Sequence, residues 1–482
     1  MSRAQKVAYH LLNKLVISGS NNSNGEISLK MGDRVALVFP NNDPIGFTVS
    51  FCACLMSGLV AIPIDVPLAR RDAGSQNLGF LLGQVGASVV LTSELCYKAF
   101  PKNPNNEMIE FKGWPKLPWI VFENLNKSPP KDWTPPNRIP PESIAYIEYS
   151  TLKDGSVTGV SVTREQMLVH CQTINVACQY AEGEYVVCVL DYKREFGLWH
   201  GIQSTIFNGM HMVYVPYSIM KINPAIWLST ITKYKASVAL VKSRDMHWGL
   251  MAQRDHKDVN LSSLRMLLVA DGSNPWSLSS CDTFLDVFQS KGLKAESICP
   301  SSGSSETLTI SIRRPNRSGP QSSGRGVLSM SGLSYGVVRV DNENSLTSLT
   351  LQDVGQVLPG TLVGVVKVNN TTSTISHTQL CQTDEIGEIC ISSRSTADRY
   401  FGLEGLTNAT FKMIPHGSDN LAIGNHEFVR SGLLGFLGPS GLVFVCGSKE
   451  GLIEVGGRRH NTDDMIATVL AVEPMKFIYR GR

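Results

Sequence analysis

The chain has 482 residues, 42% hydrophobic and 18% charged, with 42 Gly, 24 Pro and a formal net charge of +3. That balance excludes a disordered polyelectrolyte, a collagen-like fibre and a coiled coil, and so mild a charge argues against nucleic acid or an anionic membrane as the main partner. At roughly 150 residues per domain the length suggests about three structural units, with chain enough to bury a core without staples.

Val7, Leu11, Leu12 and Leu15 fall on one face and predict an amphipathic helix over Ser2–Val16, followed by a polar stretch, Ser18–Gly25. The opening Met-Ser-Arg-Ala-Gln-Lys lacks the apolar core of a signal peptide. Val35–Phe39 reads as a strand. The run Ile45–Ile64 carries no charge and is long enough to cross a bilayer, but Gly46, Ser50, Ser57-Gly58 and Pro63 interrupt it. A buried helix stopping at Gly58, then a strand Val60–Ile62, is the better reading. Ala87–Thr92 and Trp119–Phe122 are further strands, and the Pro-rich Ser128–Pro141 is a surface connector. Ile144–Tyr149 reads as a strand ending in a polar loop, and Thr163 with Gln166 forms a capping-box signature for a helix through Cys178. Val186–Leu190, Met212–Val215, Ala239–Val241 and Met266–Ala270 are strands with helical segments between them, an alternation that argues for α/β layers. From about Gly326 the texture changes to short strands, Val327–Met330, Gly336–Val340, Val365–Val368 and Glu388–Ser392, which predict a small β-rich unit, with Asn369–Gln379 a loop.

Several chemistries find no support. The 11 Cys contain no C-x-x-C pair, so neither a disulfide framework nor a metal site is indicated and a reducing cytosol is expected. The ten His show no H-x-x-x-H spacing, and no G-x-S-x-G elbow occurs. Gly319 to Gly324 mimics the start of a P-loop, but Arg325-Gly326 stands where Lys-Ser/Thr is required. Four stretches remain. Tyr149–Val160 is a hydroxyl- and Gly-rich turn between a strand and a capped helix, of the kind whose backbone N–H groups wrap a phosphate chain. Val269–Pro275 is a strand end with a Gly turn, Ser302–Thr307 sets a carboxylate after a small-residue turn, and Asp384–Ile389 enters a strand.

In this order and spacing the four stretches resemble the core motifs of the acyl-adenylate-forming superfamily, especially fatty acyl-AMP ligases. Gly32–Pro40, Cys54 through Pro63, Arg430–Phe436 and Gly457–His460 match in register, so the resemblance covers essentially the whole chain. Phe111–Pro115, Tyr146–Tyr149, Gly197–Gly201, Leu267–Trp276, Leu328–Gly336 and Tyr479–Arg482 resemble, more closely, the first ligase-like domain of the disco-interacting protein 2 family. The resemblance implies an α/β fold: two packed α/β sub-domains over 1–325, a small β-barrel-like sub-domain over 326–448, and over 449–482 a hinge and the start of a truncated C-terminal lid. It implies ATP and Mg²⁺ as cofactors. Ser150, Thr151, Lys153, Gly155, Thr158 and Gly159 would cradle the phosphates. Asp271, Gly272 and Ser273 would face the adenine, with Ser302 and Gly303 beside Glu306, the catalytic and cation-linked carboxylate.

Departures from the family pattern are specific. Leu152 replaces a loop Gly, Thr158 replaces the loop Lys, and Asp154 adds a like charge near the phosphates. The ribose-gripping Asp falls at Leu433, the hinge Arg and Asp fall at Ser448 and Gly451, and the H-D-x-G motif becomes Arg194-Glu195-Phe196-Gly197. Two readings follow. One is a ligase scaffold that binds an acyl lipid with weak or lost adenylation, through an apolar tunnel lined from Phe196, Leu198 and Trp199. The other is an active enzyme converting fatty acid and ATP to acyl-AMP. The family resemblance further implies roles in lipid metabolism, diacylglycerol balance and axon development. It implies a fatty acid or acyl lipid and other domains of the same full-length chain as partners, with neither nucleic acid nor a transmembrane segment. The expected location is cytoplasmic, with membrane association through the full-length protein.

Overall fold

Short apolar runs without alternation become parallel strands buried on both faces, and a computed structural model places them in two seven-stranded sheets. The structure describes residues 2–13, 15–16, 26–27, 29–66, 72–100, 114–151, 155–252, 257–271, 277–315, 324–368, 378–462 and 465. The chain divides into two units. One comprises Met1–Leu168, Asp191–Arg194 and Ala397–Glu404; the other comprises Val169–Leu190, Glu195–Thr396 and Gly405–Arg482.

In the first unit Arg34–Phe39 lies parallel to Val60–Asp65, the central strand, on one side and to Val89–Thr92 on the other. Trp119–Val121 extends the sheet beyond Val89–Thr92, and Ile144–Thr151 joins Val60–Asp65. Val157–Thr163 and then Arg399–Tyr400 complete it in antiparallel pairing. The uncharged run resolves as expected. Asp43 caps the helix Pro44–Ser57 by accepting the Gly46 N–H, Pro44 opens it, and Gly58 at φ 72° ends it in the left-handed region. Among the described residues no helix is long and apolar enough to cross a membrane. The capping box also forms: Thr163 N–H donates to Gln166 Oε1 at 2.9 Å and Gln166 N–H to Thr163 Oγ1 at 3.2 Å, opening the helix Arg164–Cys178. Thr163→Ala is accordingly expected to cost about 1 kcal/mol, read as a lowered urea midpoint at unchanged m-value.

In the second unit the strands lie in the order His211–Tyr214, Tyr185–Cys188, Val238–Val241, Met266–Val269, Ile298–Ser304, Leu308–Ile312 and Gln356–Val357. Pairing is parallel as far as Ile298–Ser304 and antiparallel beyond it. Helices supply Trp227, Leu228, Ile231, Phe284 and Phe288 to the core against this sheet. Further along, Leu362–Val366, Gly387–Ser392, Val429–Leu437 and Val443–Ser448 form an antiparallel four-stranded sheet. The β-rich unit is thus an open sheet with hairpins rather than a closed barrel among the described residues.

Other expectations shift in detail. The N-terminal helix is shorter, Ser2–Leu12, because Leu15–Val16 pairs as a strand with Glu26–Ile27. Gly336–Val340 forms only the isolated bridges of Val337 with Glu385 and Val340 with Leu328. A Ser329-capped helix, Met330–Ser334, and Gly336 at φ 76° turn the chain there before a ladder can extend. Most of the expected loop Asn369–Gln379 and, from residue 463 on, all but Met465 of the expected lid start lie outside the described residues. All eleven cysteines are free thiols.

Candidate functional site

The first unit carries the phosphate-loop candidate. The turn does not pass directly into the capped helix. The seven-residue strand Val157–Thr163 intervenes, so the loop joins two antiparallel strands and the helix begins only at Arg164. Sequence reasoning missed this strand because Gly159, Ser161 and Thr163 dilute its apolar pattern. Ser150 and Thr158, predicted phosphate binders, face one another across the hairpin with hydroxyls 3.1 Å apart. Ser150, Thr151 and Gly155 are exposed and Thr158 is buried. Gly155 sits at φ 84°, open to glycine without strain. Gly159 lies under the Tyr149 ring, where a Cβ would come within 2.5 Å of it. Lys153, with Leu152 and Asp154, lies outside the described residues.

At the strand ends of the same unit is a charged cluster the sequence reading did not single out. Lys193 is buried, with Nζ 2.8 Å from Asp65 Oδ1 and a further bond to Asn41 Oδ1. Arg194 also pairs with Asp65. The only sequence signal was the run Asp191-Tyr192-Lys193-Arg194-Glu195 following an apolar strand.

In the second unit Asp271 and Ser302 leave the same end of neighbouring parallel strands, where α/β sheets place ligands. Asp271 Oδ1 accepts the Ser243 N–H at 3.0 Å, burial pushes its carboxyl up, and Oδ2 has no partner among the described residues. Gly272 and Ser273 lie outside the described residues. Ser302 is buried, its hydroxyl 2.7 Å from that of Ser311, so it holds two strands together. Gly303 is required at a bulge, since a Cβ would stand 2.5 Å from the Leu308 carbonyl. Glu306 is half-buried in the turn between these strands. The Ser304 N–H donates to Thr307 Oγ1 at 3.2 Å and tightens that turn. The structure therefore brings Ser302, Gly303 and Glu306 onto one hairpin, with Asp271 at the adjacent strand end.

Phe196, Leu198 and Trp199 were expected to line an open apolar tunnel. They are buried instead, and the rings pack on one another: Phe196 lies 5.3 Å from Trp199 and 5.5 Å from His200 between centroids, and Trp199 lies 5.6 Å from His170. Gly197–Gln203 is a π-helix, a form often found at functional sites. Thr309 ties two histidines together: its N–H donates to His170 Nε2 at 3.3 Å, and its hydroxyl lies 3.4 Å from His200 Nε2. The Tyr180 hydroxyl is 2.9 Å from His200 Nδ1. His170, Tyr180 and Thr309 come from distant segments, and no local pattern marks them.

Burial pushes His200 down to about 3, and burial together with the nearby His200 takes His170 well below its ordinary value. Unfolded histidine takes a proton near 6.5 that the folded rings refuse. Their stabilising effect is therefore complete above that pH and is lost as pH falls toward the folded values. Urea midpoints should drop as pH falls from about 6.5 to 4.5, and His200→Gln should flatten part of that slope.

Leu433 is 6% exposed and packs among Ile310, Ile389, Val443 and Val445. Nearby in sequence, Arg430 Nη1 pairs with Glu388 Oε2 at 2.7 Å and Lys449 Nζ with the same oxygen at 3.0 Å. At the hinge-like segment the Gly451 N–H donates to Ser448 Oγ at 3.1 Å, and Gly447 sits at φ 146° against Asn461.

Two sheets with parallel cores and small-residue hairpins at their strand ends define the class. Residues 25–401 match the family model described as AMP-binding enzyme, and the chain belongs to that family. It is 54% identical over its whole length to disco-interacting protein 2 of Drosophila melanogaster, covering 28% of that protein. It is equally 54% identical over its whole length to disco-interacting protein 2 homolog B of Homo sapiens, covering 30%. The chain thus spans less than a third of these relatives. In fold it matches the crystal structure of a fatty acyl-adenylate ligase from Legionella pneumophila in complex with acyl adenylate and pyrophosphate. The TM-score is 0.74 at 21% identity, over 93% of this chain and 77% of that one.

Proposed function

We propose that this chain is a ligase-like module that binds a fatty acid or acyl lipid and has weak or lost capacity to adenylate it, serving lipid metabolism as part of a longer protein. The observation that carries this reading is Leu433, buried in an apolar cluster where the family resemblance places the carboxylate that grips ribose. Leucine offers no acceptor to the sugar hydroxyls, and a missing buried partner costs about 1–3 kcal/mol. Nothing among Ile310, Ile389, Val443 and Val445 replaces it, so the residues present do not fit the ribose end of a nucleotide. The replacement of the loop Lys by Thr158, whose hydroxyl faces Ser150, works in the same direction. Acyl binding is supported by the fold shared with a ligase solved with acyl adenylate, whereas the packing of Phe196 on Trp199, where an open tunnel was expected, speaks against a chain entering there.

One observation favours the active-enzyme reading. Glu306 is retained in a half-buried turn at a strand end, where it would hold Mg²⁺. The decisive measurement is calorimetric titration of ATP with Mg²⁺ into the full-length protein, joined to a pyrophosphate-release assay with fatty acids. Release is expected to stay at background. Release above background that Glu306→Gln abolishes would overturn the proposal in favour of the enzyme. Diacylglycerol balance and axon development remain proposals for the longer protein, in the cytoplasm and at membranes reached through its other parts.

A further inference from the structure

The helix Ser2–Leu12 buries Ala4, Val7, Ala8 and Leu11, and Arg3 and Lys6, three residues apart, share another face of it. That face and the stretch Phe122–Asn126 border a cavity of about 230 Å³ in the first unit. Phe122 and Leu125, 4% and 9% exposed, form its apolar side. The Arg3 guanidinium carbon stands 4.8 Å from the centre of the Phe122 ring. A ring face that holds a guanidinium leaves the N–H groups in its plane available to an acceptor. Both walls are fixed further along. His10 Nε2 lies 3.2 Å from the Lys127 carbonyl oxygen, and Tyr9 meets Trp133 edge to face at 5.4 Å between centroids.

Charge decides what such a cavity takes. Among the described residues neither Arg3 nor Lys6 has an ion-pair partner, and the first turn of their helix carries no acid. Glu123 is the one carboxylate lining the cavity, and its Oε2 already accepts the Glu94 N–H at 3.0 Å. Two cations against one carboxylate leave an excess of one positive charge, which suits a monoanion. A dianion would meet the like charge of Glu123. The planar fork of a guanidinium matches a carboxylate in two parallel hydrogen bonds. Pockets for drug-sized ligands run to about 300–1,000 Å³, so the occupant here is smaller than those.

We infer that this cavity binds a small monoanion, a carboxylate on a short apolar stem, with Arg3 and Lys6 holding the charge and Phe122 and Leu125 the stem. The inference does not depend on the acyl-binding reading. The test titrates hexanoate, hexanol and hexyl phosphate into the whole 482-residue chain by ligand-observed NMR. Hexanoate is expected to bind with a Kd of about 1 mM, at least about tenfold more tightly than hexanol. Arg3→Gln is expected to weaken it about tenfold and Lys6→Gln by less, because the Arg3 fork makes two bonds. Both residues lie outside the core, so the variants should fold, which circular dichroism checks. Equal affinity for hexanol overturns the inference, as does tighter binding of hexyl phosphate. Hexanoate binding that neither substitution changes overturns it too, since the acid then sits elsewhere, and leaves the acyl-binding reading standing. No saturation by about 20 mM hexanoate also overturns it.

Discussion

Leu433→Asp is expected to destabilise the chain by about 3–5 kcal/mol at neutral pH, the range for a buried charge left without compensation. The substitution writes back the carboxylate that the family pattern has at this position, and the surroundings decide its fate. Ile310, Ile389, Val443 and Val445 pack against the side chain, and none offers a donor. The cation nearest in sequence, Arg430, is already committed to Glu388. Burial would raise the new carboxyl above its unfolded value, so folding would favour its protonated form. The penalty should therefore be small at pH below about 4 and grow as pH rises above it. Urea unfolding at two pH values checks both magnitude and sign. A variant as stable as the parent that also gains ATP affinity would show that the apolar cluster opens readily, and it would sink the account of lost ribose binding.

Glu388→Ala is expected to cost about 3–5 kcal/mol, because it removes the buried carboxylate with which Arg430 pairs. The Glu388 side chain is 3% exposed and that of Arg430 14%, whereas Lys449 is 46% exposed. Most of the effect should come from Arg430, since an exposed partner contributes little. Glu388 Oε1 also accepts the Gly432 N–H at 3.3 Å, which fixes the strand just before Leu433. Replacing both Glu388 and Arg430 by Leu should recover much of the loss, whereas Lys449→Met alone should cost less than about 1 kcal/mol. A chemical-denaturation series over these variants separates the contributions. Equal losses for Arg430→Met and Lys449→Met would contradict the ranking by burial.

Local signals were the ones the sequence made readable. The stop at Gly58, the Thr163 and Gln166 box and the apolar parallel strands depend on neighbours within a few positions, and all formed. The order of the four motif stretches gave the family, and the structure puts the Ser302, Gly303 and Glu306 stretch on a hairpin at a strand end. What stayed hidden depended on partners far along the chain. Glu388 sits in an apolar strand and meets its two cations 42 and 61 residues later. Phe196 and Trp199 looked like tunnel walls until His170, from another helix, was seen packed against the Trp199 ring. The strand Val157–Thr163 was obscured by its own small residues, which the sheet tolerates because Tyr149 covers Gly159.

The interleaving of the two units along the chain bears on how the protein is made. Five boundaries separate the six segments, so neither unit is a continuous stretch that can be cut out intact. The first sheet waits for its last strand, Arg399–Tyr400, until the more than two hundred residues after Val157–Thr163 have been made. Through that interval Val157–Thr163 presents an unpaired edge, a template for pairing with another chain. Lys193, itself buried and paired with the exposed Asp65, likewise arrives well after the strand that carries Asp65. A nascent chain halted between residues 163 and 399 should therefore aggregate through that open edge, however stable the finished protein is.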